Sequence, residues 1–201
     1  NMDRMYRLQR YFYDATRKYY LLGRDQLLRE MDVRPGEHII EAGCGTARNL
    51  IILARRYPEA RFHGLDASAA MLETAQAKID KAGTKNITLK TALADDFTYN
   101  GTFDLHEPFD KIFFSYSISM IPPWRESIDN ALKNLKPGGT LYVVDFYDQK
   151  GLPAPFARFL KFWDDLLPYL SDLRESGNVD LEIRSMFRRY SFIASLKKSA
   201  A

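Results

Sequence analysis

Hydrophobic and polar positions switch between two periods along residues 38–146. Short apolar runs at His38–Ala42, Arg61–Asp66, Ile87–Thr91, Asp110–Ser115 and Leu141–Phe146 read as five strands. Helical spacing fills the gaps between them. Arg48–Tyr57 recurs through Leu50, Ile51, Leu53 and Ala54, and a second helix runs from Ser68 to about Lys81, where Gly83 stops it. A third runs from about Arg125 to Leu135 and halts at Lys136-Pro137-Gly138-Gly139. Pro122-Pro123 open that helix, where a proline's missing N–H costs nothing.

Strands alternating with helices predict right-handed crossovers and a parallel sheet covered on both faces. The pattern changes after a long helical stretch at about Ala154–Glu175. Beyond the turn Ser176-Gly177-Asn178, Val179–Phe187 and Ser191–Lys197 read as strands separated only by Arg188-Arg189-Tyr190. A connection that short forces an antiparallel hairpin. The expected fold is therefore an α/β sheet of seven strands, five parallel plus a C-terminal antiparallel hairpin, preceded by N-terminal helices. One domain over 1–201 is expected, with a helical cap at 1–36 and a cofactor-binding core at 37–198.

Composition narrows the class. With 201 residues, 46% hydrophobic and 27% charged, the chain can bury a full core, which excludes disorder and coiled coil. No run approaches the roughly 20 apolar residues of a membrane span. The single cysteine, Cys44, excludes a disulfide framework and predicts a reducing compartment. The first ten residues hold three arginines and no apolar run, which predicts no secretory leader, and Asn1 suggests a trimmed chain. A net charge of +3 argues against a nucleic-acid partner.

That charge is uneven. Residues 1–24 carry Arg4, Arg7, Arg10, Arg17, Lys18 and Arg24 against Asp3 and Asp14, and also six aromatics, a quarter of the segment. Such enrichment fits a membrane-surface or ligand-capping segment, and equally a helix packed on the domain with its basic face in water.

The candidate chemistry begins where the first strand feeds the first helix, at Glu41-Ala42-Gly43-Cys44-Gly45-Thr46-Ala47. Glycines there let backbone approach a ligand, and the helix start offers unpaired N–H groups. Asp66, at the carboxyl end of the second strand, can accept both hydroxyls of a ribose. Together these specify a nucleoside-containing cofactor. Arg48 stands where a dinucleotide fingerprint needs its third glycine, which speaks against NAD.

The turn instead resembles the first motif of class I S-adenosylmethionine methyltransferases, with Ala47 in the last glycine's place. Gly64-Leu65-Asp66-Ala67-Ser68-Ala69-Ala70-Met71-Leu72 resembles that family's second-strand segment, and Leu135-Lys136-Pro137-Gly138-Gly139 its turn before the fifth strand. The likeness covers about residues 37–198 and implies a Rossmann-like methyltransferase sheet with S-adenosylmethionine as cofactor. It places Gly43, Cys44, Gly45 and Thr46 at the methionine part, Asp66 on the ribose, and Ala67 and Met71 near the adenine, with Glu41 and Ala42 also in the cofactor set. Ser115, ending the fourth strand, joins the cofactor set. One position departs: Leu93 stands where the family commonly has an adenine-binding aspartate. Leu93 and the Ala94 backbone are expected at the adenine, with Asp95 as a substitute acid.

The acceptor is less directly written. Ile121-Pro122-Pro123-Trp124 is similar to the amine-holding motif of amino-methyltransferases, but Ile121 cannot accept the amine's hydrogen bond, and the prolines read as a helix start. Phe156, Phe159, Leu160, Trp163, Leu167 and Leu170 form a stripe that reads as a core face, its exposed end available to an apolar groove. Met2–Arg10 and Tyr13–Asp25 closely resemble the start of the bacterial betaine-lipid synthase N-methyltransferases (the BtaB-like family).

That second resemblance implies successive N-methylation of diacylglycerylhomoserine to a betaine lipid, downstream of a separate 3-amino-3-carboxypropyl transferase. A quaternary ammonium product suits aromatic faces. Tyr13, Tyr20, Tyr116, Trp124 and Tyr147 are the expected acceptor residues, and Tyr20, Tyr116 and Asp145 the catalytic candidates. His38, His63 and His106 lack metal-ligand spacing, so no metal is expected. A lipid substrate also implies a cytoplasmic protein in peripheral contact with anionic lipid at the inner membrane face. Two alternatives remain: a methyltransferase of the same fold acting on a phospholipid amine or soluble small molecule, and a non-catalytic cofactor- or membrane-binding protein.

Overall fold

The computed structural model describes residues 23–147, 157–186 and 190–200, of which 157–161 as backbone. Seven strands form one sheet in the order β3-β2-β1-β4-β5-β7-β6. These are β1 (His38–Ala42), β2 (Arg61–Asp66), β3 (Ile87–Thr91), β4 (Phe109–Ser115), β5 (Leu135–Phe146), β6 (Val179–Met186) and β7 (Ser191–Lys198). β1 to β5 pair in parallel, and β7 runs antiparallel to both β5 and β6. The chain builds outward from β1 to β3, then returns to place β4 against the other side of β1. The reversal between β1 and β4 opens a crevice at their carboxyl ends, where open α/β sheets hold ligands.

Helix α1 (residues 23–30), α2 (Arg48–Arg56) and α3 (Ala69–Ala82) cover one face. Leu27, Leu28, Met31, Leu50, Leu53, Ala75 and Ile79 pack there on Ile39, Phe113 and Val144. On the other face, α4 (Trp124–Lys133) and α5 (Ala157–Glu175) set Ile128, Ala131, Phe162, Trp163, Leu166 and Leu170 against Ile40, Ile112, Leu141 and Val143. Each fully buried side chain of this kind contributes about 1.5–3 kcal/mol relative to exposure.

Local chemistry fixes the ends. Ser68 caps α3 by accepting from Met71 N, and Gly83, at φ +71°, closes it by donating to Ile79 O and Asp80 O. Gly64 lets α2 and β3 close on β2, since a Cβ there would lie 2.7–2.8 Å from Leu50, Cys44 and Leu89 side-chain atoms. One boundary differs from the sequence pattern. Lys136-Pro137-Gly138-Gly139 is not a turn before the fifth strand but part of β5, which starts at Leu135. A register shift between Phe109 and Lys111 on β4 absorbs the irregular segment, so proline at this position breaks no ladder.

Candidate functional site

Four strand ends converge on the crevice: Ala42, Asp66, Thr91 and Ser115 close β1, β2, β3 and β4. Gly43 follows β1 at φ +74°, and a Cβ added to it would sit 2.7 Å from Ser117 Cβ. Only glycine fits both the left-handed backbone and the close approach. Gly45 is also left-handed, and Ala47, at φ +60°, holds a third such position without glycine's freedom.

Asp66 ties this loop to β2. Its Oδ2 accepts from Gly45 N at 3.0 Å and its Oδ1 from Ser68 N at 2.9 Å. Each carboxylate oxygen keeps a second lone pair, so hydroxyls can still be accepted. Thr46 Oγ1 accepts from Lys78 Nζ at 3.0 Å, which ties the loop to α3. Cys44 is buried, and burial pushes its thiol well above the ordinary range, so it is a packing residue rather than a nucleophile.

Glu41 lies beneath the loop at 2% exposure. Its Oε1 accepts from Asn49 Nδ2 at 2.7 Å, while Oε2 has no partner among the described residues. Burial, only partly offset by that hydrogen bond and by the Arg24 charge, pushes its carboxyl up to about 8. Past β3, Leu93 is 55% exposed, the one large apolar side chain left open among the described residues. Ala94 is buried behind it and Asp95 lies in the turn that follows. Ala67 is exposed at the end of β2, and Met71 lies half-buried one turn into α3.

These features fit S-adenosylmethionine. A cradle that a Cβ would fill, a carboxylate at the β2 end, an open apolar face after β3 and a buried carboxyl under the loop, one of its oxygens unpaired among the described residues, occupy one edge of the sheet.

On the β4–β5 side the predicted residues divide. Tyr116 is buried, left-handed at φ +52°, and meets Phe146 edge-on at 4.9 Å. Burial holds its phenol above its ordinary value, so it is protonated at neutral pH and is no base. Trp124 and Tyr147 lie on the opposite face: Trp124 meets Phe162 and Tyr169 edge-on, while Tyr147 packs 4.2 Å from Trp163. Ser115 Oγ is buried without a partner among the described residues. Asp145 is fully buried, its carboxylate bonded to Ser119 and Phe146 N rather than turned to the crevice. Tyr13 and Tyr20 lie outside the described residues.

Other placements carry no motif. Ser117 Oγ donates to Ala42 O at 2.9 Å, joining the segment after β4 to the cofactor loop. Gly23 opens the described part of α1 against Tyr116 Oη and Ser191, and Asp25 pairs with Arg48 at 3.0 Å. The glycine following the apolar pair Leu21-Leu22 was the available signal, since it marks close backbone approach. At the other end of the sheet, His38 Nδ1 and His63 Nε2 lie 2.9 Å apart, and burial drives His63 down to about 3. A cleft of about 390 Å³ between Arg55, Arg61 and Lys85 is also at that far end. There Arg55 and Asn86 serve the carbonyls that end α2 and α3, a structural task. Among the described residues no three His, Cys, Asp or Glu side chains gather as metal ligands, and no helix is long and apolar enough to cross a membrane.

Residues 34–173 match a family described as a methyltransferase domain. The chain is 25% identical over 152 residues to the demethylmenaquinone methyltransferase of Symbiobacterium thermophilum, covering 72% of this chain and 56% of that protein. The chain thus spans about half the length of the curated relatives it matches. In fold it is similar to the S-adenosylmethionine-dependent methyltransferase SibL, with a TM-score of 0.69 at 20% identity over 94% of this chain and 58% of that one. A SAM-dependent methyltransferase from Aquifex aeolicus gives 0.65 at 17% identity over 86% and 88%.

Proposed function

The chain belongs to the S-adenosylmethionine-dependent methyltransferase-domain family, and from that premise we propose that it methylates the amino group of diacylglycerylhomoserine, in successive steps, to a betaine lipid. The observation that carries the acceptor is the run Met2–Asp25, cationic and aromatic, whose sequence resembles the start of betaine-lipid N-methyltransferases. Its described end supports the reading: Gly23 abuts Tyr116, and Asp25 pairs with Arg48 at the first turn of α2, beside the cofactor loop.

The cofactor supplies a sulfonium methyl, and the rest is alignment. Asp66 orients the ribose, the Gly43–Gly45 backbone receives the methionine end, and Leu93 covers the adenine. An amine that has lost its proton to water needs no side-chain base, only a dry in-line approach. Aromatic faces then favour the growing positive charge by about 0.5–2 kcal/mol each; Tyr147 is the described candidate, since the Trp124 ring already carries the Arg125 guanidinium at 4.2 Å, and Tyr13 and Tyr20 stay candidates from the sequence.

The same reading places the protein at the cytoplasmic face of an anionic membrane, held by its basic front segment, after a 3-amino-3-carboxypropyl transferase and without nucleic acid. A second acceptor, demethylmenaquinone, is favoured by the curated relatives. Labelled-methyl transfer to detergent-dispersed diacylglycerylhomoserine, phosphatidylethanolamine, demethylmenaquinone and free homoserine separates these. The proposal expects label in the first alone; label confined to another acceptor, or in none, refutes it.

A further inference from the structure

The segment that leaves β4 is held more firmly than a connection requires. Tyr116 adopts φ +52°, a conformation that disfavours a bulky side chain, yet its N–H donates to Val144 O at 2.8 Å. Ser117 donates to Ala42 O at 2.9 Å and fills the space that Gly43 leaves. Two residues on, Ser119 is gripped twice: Asp145 Oδ1 accepts from its hydroxyl at 2.9 Å, and Oδ2 accepts from its backbone N–H at 3.1 Å. Phe146 N supplies a third donor, to Oδ1 at 2.8 Å. A buried carboxylate thus meets three donors, two from the segment after β4 and one from the end of β5.

We propose that Tyr116–Met120 is a preset platform for the methyl acceptor and that Asp145 is its positioning residue. The proposal rests on the methyl-transfer reading but not on which acceptor is used. The platform joins the two halves of the crevice: Ser117 sets its distance from the cofactor loop, and Ser119 sets its distance from β5. Strain at Tyr116 persists because both ends are tied. Asp145 acts only as an acceptor when ionised; a proton on either oxygen removes an acceptor site from a cluster that has three donors to satisfy. Burial pushes the carboxyl up to about 6, opposed by the hydrogen bonds from Phe146 and Ser119, and the Tyr116 phenol is the titratable neighbour that senses its charge. Because burial raises this carboxyl, the closed platform binds a proton more tightly than an opened, solvated one, so acid alone does not release it.

In Asp145→Asn the amide oxygen can keep both Oδ1 contacts, but the NH₂ then faces the Ser119 N–H, and that contact turns from attractive to repulsive. Ser119→Ala removes the hydroxyl alone and keeps the fold safe, while Ser119→Thr restores it. Hydrogen exchange of the full chain, read on the 116–121 peptide as protection relative to free-peptide rates, needs no acceptor. The expected result is protection lowered about 10-fold or more in Asp145→Asn, less in Ser119→Ala, and restored in Ser119→Thr. Peptides around Gly43–Thr46 should keep their protection, and cofactor Kd should stay within about twofold. With whichever acceptor takes label, KM should rise or kcat fall about 10-fold in Asp145→Asn, and the loss in Ser119→Ala should be rescued by Ser119→Thr. Unchanged 116–121 protection in both Asp145→Asn and Ser119→Ala overturns the proposal, as does equal weakening of cofactor binding. Absence of label from every acceptor with wild type defeats the acceptor reading instead, and the exchange result still decides the platform.

Discussion

The two halves of the crevice are built by different means. The cofactor half uses backbone: glycines at left-handed φ, a carboxylate that ties two amides, and an apolar side chain left open after β3. The acceptor half uses packed side chains: Tyr116 against Phe146 on one face, Tyr147 against Trp163 and Trp124 against Phe162 on the other, with Asp145 buried between. Backbone construction demands particular residues at particular positions, whereas aromatic packing accepts many solutions. A fixed cofactor and a changeable acceptor are what that difference delivers.

Gly43→Ala strikes where the halves meet, and carries the largest expected effect. The added methyl collides with Ser117 Cβ at 2.7 Å while the backbone stays left-handed at φ +74°. Stability should fall by about 2–4 kcal/mol in a denaturant titration, with cofactor and acceptor binding lost together. Loss of only one would mean that Ser117 does not couple them. Tyr147→Leu probes the acceptor half alone. It removes a ring that packs 4.2 Å from Trp163, and should raise acceptor KM about 3- to 10-fold at unchanged cofactor Kd. A shift in cofactor affinity would blur the division. Leu93→Ala is the mildest test. Trimming a 55% exposed side chain should weaken cofactor binding only about 3- to 5-fold, with no change in acceptor KM.

The same contrast explains what the sequence disclosed. β1, β2 and β3 occupy the residues their apolar runs predict, and Gly83 and Ser68 bound α3 as turn chemistry requires. Glycine spacing and a strand-end aspartate are local, so Gly43, Gly45 and Asp66 stood out in the chain itself. Ser117 and Ser119 did not, because their partners Ala42 and Asp145 lie 75 and 26 residues away. Asp145 was visible as an acid at a strand end, but its orientation depends on a segment that the strand pattern does not describe. The start of β5 escaped for a related reason: Pro137-Gly138-Gly139 has the composition of a turn, and pairing with β4 across a shifted register overrides it.

Calorimetric titration of the full chain with S-adenosylmethionine tests the construction of the cofactor half most directly, with Asp66→Asn and Tyr147→Leu measured beside the wild type. One-to-one binding should weaken about 10- to 100-fold in Asp66→Asn, whose amide cannot accept from both Gly45 N and Ser68 N, and stay within about twofold in Tyr147→Leu. Binding that ignores Asp66, or falls as far with Tyr147 as with Asp66, would contradict a cofactor site built from the β1 loop and the β2 end.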